Sequence, residues 1–214
     1  MLKNKLQTKT LKRKRMNKLP VMEQFLTLQG EGYHTGRSAI FIRLGGCDVG
    51  CVWCDVKESW DESKHPSIEV SKIMERISSY ATDFVVITGG EPTLHNLNPL
   101  IKALKDDQKY IAIETAGTNP LPDGLDWVCF SPKKFKKPLD EIYDLVDELK
   151  VIIYHPSDLQ WAKEHAKKIN KKAELYIQPE WSKADEHMSV MLDFLNENPN
   201  WKLSLQTHKF LNIP

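Results

Sequence analysis

The chain predicts an α/β fold, an incomplete (partial) TIM-type barrel or open sheet of about six parallel strands covered by helices. Three observations carry this. Short apolar runs alternate with amphipathic segments of helical period, which is how a parallel sheet wrapped by helices reads. The strand-like runs number six or seven, too few for closure into an eight-stranded barrel. Polar residues gather directly after several strands, at the edge where parallel α/β folds bind ligands.

The elements follow in order. AIFIRL (39–44) reads as a strand. SIEVSKIMERISSYA (67–81) places Ile68, Val70, Ile73, Met74 and Ile77 near helical spacing. FVVIT (84–88) is a buried strand ending at a Gly-Gly turn, LNPLIKALKD (97–106) a helix and YIAIET (110–115) a strand. WVCFSP (127–132) is strand-like, LDEIYDLVDEL (139–149) helical and KVIIY (150–154) a strand. DLQWAKEHAKKIN (158–170) and ADEHMSVMLDFLNEN (184–198) read as helices, with strands AELYIQP (173–179) between them and WKLSLQT (201–207) after them. Gly89-Gly90-Glu91, Glu114-Thr115, Ser131-Pro132-Lys133 and Gln178-Pro179 stand at strand ends and would line one mouth.

The 214 residues, 41% hydrophobic and 28% charged, suit one large domain. No apolar run approaches the roughly 18 residues of a membrane span, so no membrane association is expected. The net charge of +1 hides an asymmetry: residues 1–18 hold eight Lys or Arg and no acid, leaving about −7 on the rest. A like-charged run cannot bury apolar surface. Residues 1–20 are therefore expected to be a basic disordered extension, with Met16 and Met22 as alternative starts, and 21–214 the domain. The negative body argues against nucleic acid as a partner. The basic stretch has no apolar centre of the secretory kind, which makes the cytoplasm the expected location and clustered cysteines metal ligands or redox groups.

Three of the four cysteines stand in GGCDVGCVWCD (45–55), spaced C-x3-C-x2-C at Cys47, Cys51 and Cys54. A structural zinc site usually draws four ligands in two separated pairs. A C-x-x-C redox pair would leave Cys47 unexplained. A four-iron cubane held by three thiolates keeps one iron open for a ligand, and flanking glycines let the backbone wrap closely. Spacing alone favours iron–sulfur over zinc without settling it. Cys129, inside an apolar strand, reads as core.

C-x3-C-x2-C with an aromatic residue, Trp53, before the last cysteine resembles the signature of the radical S-adenosylmethionine (SAM) superfamily. TGGEP (88–92) resembles the motif that meets the methionine amino group of SAM. FLTLQGEGYHTGRSAIFIRLGGC (25–47), CDVKESW, ETAGT, SPK, QP and the ending LQTHKFLNIP are together similar to the 7-carboxy-7-deazaguanine synthase family, from about Met22 to Pro214.

The resemblance implies a [4Fe-4S] cluster on Cys47, Cys51 and Cys54, with SAM at the open iron. Reductive cleavage of SAM gives a 5′-deoxyadenosyl radical that takes a hydrogen atom from C6 of 6-carboxy-5,6,7,8-tetrahydropterin. The ring contracts, the hydrogen returns, and ammonia leaves to give 7-carboxy-7-deazaguanine. It implies cofactor-binding roles for Trp53, Asp55, Gly90, Glu91, Glu114, Ser131, Lys133 and Gln178. It implies substrate binding by Leu28, Gln29, Gly30, Glu31, Arg43, Thr88, His208 and the terminal carboxylate of Pro214. The Arg43 fork suits a carboxylate, while a structural ion pair is its competing reading. Lys133 otherwise belongs to a solvated lysine run, PKKFKK.

One position departs from the pattern. After Asp55 the family has a hydroxyl residue that helps hold Mg2+ against the substrate carboxylate, and this chain has Val56, which offers no side-chain oxygen. Either other atoms bind the magnesium or this chain does without it. The resemblance also implies an electron donor such as flavodoxin or ferredoxin, and a homodimer. Two other readings compete: a radical SAM activase that places a glycyl radical on a partner enzyme, and a zinc-stabilised nucleic-acid-binding module.

Overall fold

The structure, a computed structural model, describes residues 17–214. Most of the basic stretch assigned to residues 1–20 lies outside the described residues. Its last residues belong to the domain, because strand β1 (Lys18–Leu28) begins there. Leu19 and Val21 are buried in the core, and Lys18 to Pro20 pair with the short strand β3 (Ser67–Glu69). An alternating strand pattern was masked by the lysines before it.

The other strands are β2 (Ser38–Leu44), β4 (Phe84–Gly89), β5 (Tyr110–Thr115), β6 (Trp127–Phe130), β7 (Glu148–Ile153), β8 (Glu174–Pro179) and β9 (Trp201–Leu203). The helices are α1 (Val70–Ile77), α2 (Asn98–Asp106), α3 (Asp158–Ala166), α4 (Ala184–Glu197) and α5 (Thr207–Leu211). One nine-stranded sheet runs β3-β1-β2-β4-β5-β6-β7-β8-β9. From β2 through β9 the seven strands in this order pair in parallel, and β1 is antiparallel to both its neighbours. The sheet is open, a partial barrel as expected.

Three elements differ from the pattern reading. Of residues 67–81, read as helical, Ser67–Glu69 form β3 and only Val70–Ile77 form α1. Residues 139–149 form a 3₁₀ turn (Asp140–Asp144) instead of a helix, and Glu148 and Leu149 join β7, where they pair with Glu174 and Leu175. Sheet pairing overrides a segment whose exposed face is a run of acids. The final strand stops at Leu203, and α5 begins at Thr207.

Period-2 alternation sorts each strand between two environments. Ile40, Ile42, Leu44, Val85, Ile87, Ile111, Ile113, Leu149, Val151 and Ile177 pack into the main core with the helices. Within it, α2 buries Leu100, Ile101 and Leu104, about 2 kcal/mol each. The alternate residues form a separate inner layer. Ala39, Phe84, Val86 and Ala112, with Phe41, Tyr110 and Trp127, fill its lower part. Its upper part is polar, because the next inward residue on four strands is Arg43, Thr88, Glu114 and Gln178. Register places Arg43 opposite Thr88.

Candidate active site

A cleft of about 440 Å³ opens at the carboxyl ends of these strands. Its size is typical of small-ligand sites. All three cysteines, the eight residues assigned to a cofactor and the eight assigned to a substrate line it.

The cysteine loop leaves the end of β2 and is tied at its base. Gly45 N–H donates to the Pro20 carbonyl (2.8 Å), Gly46 N–H to Ser59 (2.6 Å) and Cys47 N–H to Trp60 (3.1 Å). A nitrogen of His95 meets the Gly45 carbonyl at 2.7 Å. Gly46 (φ 98°) and Gly50 (φ 72°) hold backbone conformations that other residues avoid. The thiols sit among Val49, Ala116 and Trp53. No disulfide forms among the described residues. Burial pushes the Cys51 thiol up to about 11 and raises Cys47. Metal coordination deprotonates such thiols outright.

The Gly-Gly-Glu turn closes on this loop. Gly90 N–H donates to the Leu44 carbonyl and Glu91 N–H to Gly46. A Cβ on Gly90 would stand 2.3 Å from the Gly46 carbonyl oxygen and 2.7 Å from Cys47 Cβ. Gly90→Ala is therefore expected to displace the cysteine loop, lowering iron bound per chain and costing about 1–3 kcal/mol of stability. Iron analysis and thermal unfolding read both. Glu91 is buried, and its carboxylate accepts from Thr93 N–H and Oγ1, Thr115 Oγ1 (2.7 Å) and Ala116 N–H (2.7 Å). It fastens the turn to the end of β5 while lining the cleft.

The floor of the cleft is a charged network. Gln29 Nε2 donates to Glu114 Oε1 (3.0 Å), and Glu31 N–H to Gln29 Oε1 (3.1 Å). Between the two acids lies Lys150, almost fully buried, ion-paired with Glu31 and 3.7 Å from Glu114. Gln206 Nε2 donates to Glu31 (2.9 Å). Burial alone would raise the Glu31 carboxyl, but the Lys150 charge and hydrogen bonds bring it down to about 2. Burial likewise opposes the Lys150 charge, and the surrounding carboxylates hold it well above the usual lysine range. Sequence reasoning missed Lys150. The available signal was a lysine between Leu149 and Val151 on an otherwise apolar strand.

The walls carry the remaining groups. Lys133 Nζ folds onto Ser131 Oγ (2.6 Å), and burial lowers its pKa. Its Nζ lies 5.9 Å from the Trp53 ring centre. Gln178 is oriented by Ser204 Oγ (2.7 Å), which also accepts from Gly32 N–H (2.9 Å). Arg43 donates Nε to Glu23 (2.5 Å), so it makes the structural ion pair and still lines the cleft. Thr88 is buried at the end of β4. His208 lies against Gly30, where a Cβ would meet its Nδ1 at 2.2 Å. Thr207 N–H donates to the Gly30 carbonyl (2.9 Å). Asn212, left-handed at φ 53°, ends α5. Ile213 N–H returns to the His208 carbonyl (3.1 Å), a Schellman-type closure. It turns Pro214 toward the cleft rim beside Leu28, where Thr27 Oγ1 donates to it (3.0 Å).

Three thiols on one glycine-flanked loop, facing an open cleft, fit a cubane with one thiolate per iron. Among the described residues no group of three His, Cys, Asp or Glu is placed to hold a single metal ion. The donor set beside Asp55 does not fit magnesium. Val56 has no side-chain oxygen, its carbonyl accepts from Ser59 N–H (3.1 Å) and Oγ (2.7 Å), and Asp55 faces Lys209 Nζ at 2.8 Å.

Comparison with known proteins agrees with this geometry. The model of the radical SAM superfamily matches residues 41–173, a class whose members carry a [4Fe-4S] cluster and use SAM. Over 196 residues the chain is 51% identical to a 7-carboxy-7-deazaguanine synthase of Flavobacterium psychrophilum, covering 92% of this chain and 93% of the relative. It is 34% identical over 221 residues to that of Escherichia coli K12, covering 91% and 98%. The crystal structure of QueE from Escherichia coli superposes with a TM-score of 0.80 at 31% identity, covering 91% of this chain and 96% of that one. The chain belongs to the 7-carboxy-7-deazaguanine synthase family of radical SAM enzymes.

Proposed function

We propose that this chain converts 6-carboxy-5,6,7,8-tetrahydropterin to 7-carboxy-7-deazaguanine and ammonia, a step in the biosynthesis of queuosine and related deazapurines. The observation that carries this reading is the placement of the Gln29–Glu114–Lys150–Glu31 floor and the three-cysteine loop in one cleft. When bound, the cluster and SAM supply hydrogen-atom abstraction; the chain itself binds, orients and shields.

Glu31 is an acceptor for the N–H groups of a flat pterin edge, and Glu114, held by Gln29 and Lys150 beside it, is an acceptor for a hydroxyl or amine of SAM. Gly30, Leu28 and Thr88 bound the space around the pterin, and His208 and Pro214 close it from the C-terminal side. Arg43 faces the substrate carboxylate. On the opposite wall Gly90, Ser131, Lys133 and Gln178 hold the polar groups of SAM, with Trp53 beside the cluster. Glu91 supports that wall through its bonds to β5 and the adjoining turn. A cleft floored by this charged network and bordered by His208 and Lys209 of α5 suits a small flat molecule better than the extended protein loop an activase would take.

The reading includes reduction by flavodoxin or ferredoxin in the cytoplasm, and a homodimer, both from family resemblance. Among the described residues no helix is long and apolar enough to cross a membrane.

The test is an anaerobic assay of the reconstituted protein with reductant, SAM and the pterin. The expected result is 7-carboxy-7-deazaguanine with one ammonia per product. Cleavage of SAM with the pterin untouched would reject the substrate assignment while leaving the superfamily in place.

A further inference from the structure

A hard divalent cation held between protein and a substrate carboxylate needs oxygen ligands that are free to face it. The segment after the last cysteine offers few of them. Val56 contributes no side-chain oxygen, and its carbonyl already takes two hydrogen bonds from Ser59. The Asp55 side chain is 56% exposed, and its Oδ2 already faces two donors, Lys209 Nζ at 2.8 Å and the Gln206 amide at 3.5 Å. A cation is therefore already present, supplied by the chain.

The position of this cation is built into the fold. Lys209 lies on α5, which Thr207 ties to the Gly30 carbonyl through both its N–H and its Oγ1. The lysine Nζ stands 5.2 Å from the centre of the Trp181 ring, and its side chain is 22% exposed. Lys209, Asp55, Val56, Trp181 and Arg43 line the same cleft. An ammonium has three N–H donors. With one on Asp55, two remain to meet a carboxylate through charge-assisted hydrogen bonds.

We propose that Lys209 holds the substrate carboxylate in this chain in place of a divalent metal ion, so that turnover is independent of magnesium. The proposal rests on the pterin reading above. It explains why a valine is compatible with the site: once the cation is an ammonium anchored by Asp55, no hydroxyl ligand is needed at position 56.

The test uses the anaerobically reconstituted full chain, desalted and divided between Mg2+ and a chelator, and has two readouts. In turnover, the wild type is expected to keep the same rate in both. Lys209→Met is expected to raise KM for the pterin about 10- to 100-fold, the scale of one lost charge-assisted hydrogen bond, with a smaller effect on kcat. The double variant Val56→Thr with Lys209→Met is expected to recover when Mg2+ is present and not when it is chelated. A lysine with a merely structural role would give no metal-dependent recovery.

The second readout is Mn2+ binding by electron paramagnetic resonance, with pterin and SAM present and the cluster in its diamagnetic oxidised state. The wild type should leave Mn2+ free, and the double variant should bind it. Loss of wild-type turnover on chelation, stoichiometric Mn2+ binding by the wild type, or an unchanged KM in Lys209→Met would each overturn the proposal. Should Lys209→Met fail to fold, the two wild-type measurements still decide. If the wild type never converts the pterin, it is the functional reading that has failed, and Mn2+ binding continues to judge the missing metal site.

Discussion

Serine at any one of positions 47, 51 or 54 is expected to leave the anaerobically reconstituted protein without the broad visible absorbance of an iron–sulfur cluster and without SAM cleavage. The argument is chemical. Three thiols on one loop would hold a cubane here, with one iron each. A serine hydroxyl is a harder, far less acidic ligand, so one corner loses its anchor and a second iron opens to solvent. The loop cannot recruit a substitute: Cys129, the remaining cysteine, is buried on β6, where it lines a small chamber on the far side of the floor residues, with Glu148 and Trp127, and does not line the cleft. Burial holds the Cys129 thiol well above the usual cysteine range, as befits a small apolar side chain rather than a ligand. Cys129→Ser should keep full iron content and lose about 1–3 kcal/mol from a buried, poorly satisfied hydroxyl. Iron and sulfide analysis with the absorbance spectrum separates the four variants. A Cys129→Ser protein that folds but stays colourless would show that the ligand set has been misassigned.

The sequence made this site legible because radical chemistry on a cluster needs an unusual local composition. Three cysteines in eight positions and a Gly-Gly-Glu turn after a strand stand out from any fold background. The parallel strands were legible for a different reason: they are buried on both faces, so their apolar runs are nearly continuous. What escaped were features set by pairing partners far along the chain. Strand β1 begins among lysines, and only its pairing with β2 and β3 fixes it. Residues 139–149 carry an amphipathic pattern, yet Glu148 is claimed by the β7–β8 ladder. Lys150 looked like the first residue of a strand, because nothing local says that two carboxylates, 119 and 36 residues away in sequence, converge on its ammonium. Lys209 lay within a tail whose neighbours, His208 and Pro214, drew attention first. Its partner Asp55 is 154 residues distant. Charge pairs across a barrel interior are a tertiary property, and a linear pattern shows only one partner at a time.

Lys150→Met is the second change with a large expected effect. The substitution keeps the length of the side chain and removes the charge. Glu31 and Glu114 then share a buried floor with no cation between them. Removing one partner of a buried ion pair costs about 3–5 kcal/mol, because the other charge stays desolvated. The cost should depend on pH in a defined direction. In the wild type the Glu31 carboxyl lies at about 2, against an ordinary value of 4.5. Its stabilising contribution is therefore full above about pH 4.5 and lost as pH falls toward 2. Without Lys150, burial is the dominant influence and raises the carboxyl instead. The difference in stability between wild type and variant should be largest near neutrality and shrink on acidification through that window. Adding Glu31→Gln to Lys150→Met should recover part of the loss, a coupling of about 0.5–3 kcal/mol in a double-mutant cycle. Denaturant unfolding at several pH values measures both. A loss that is the same at every pH, with no coupling to Glu31, would mean that Lys150 stabilises by packing alone and does not set the charge of the floor. The functional consequence follows from that charge. A protonated Glu31 donates where an ionised one accepts, so the pterin edge would meet a donor in place of an acceptor. KM for the pterin should then rise more than kcat falls, since in the proposed reading Glu31 meets the bound substrate and not the abstracting radical.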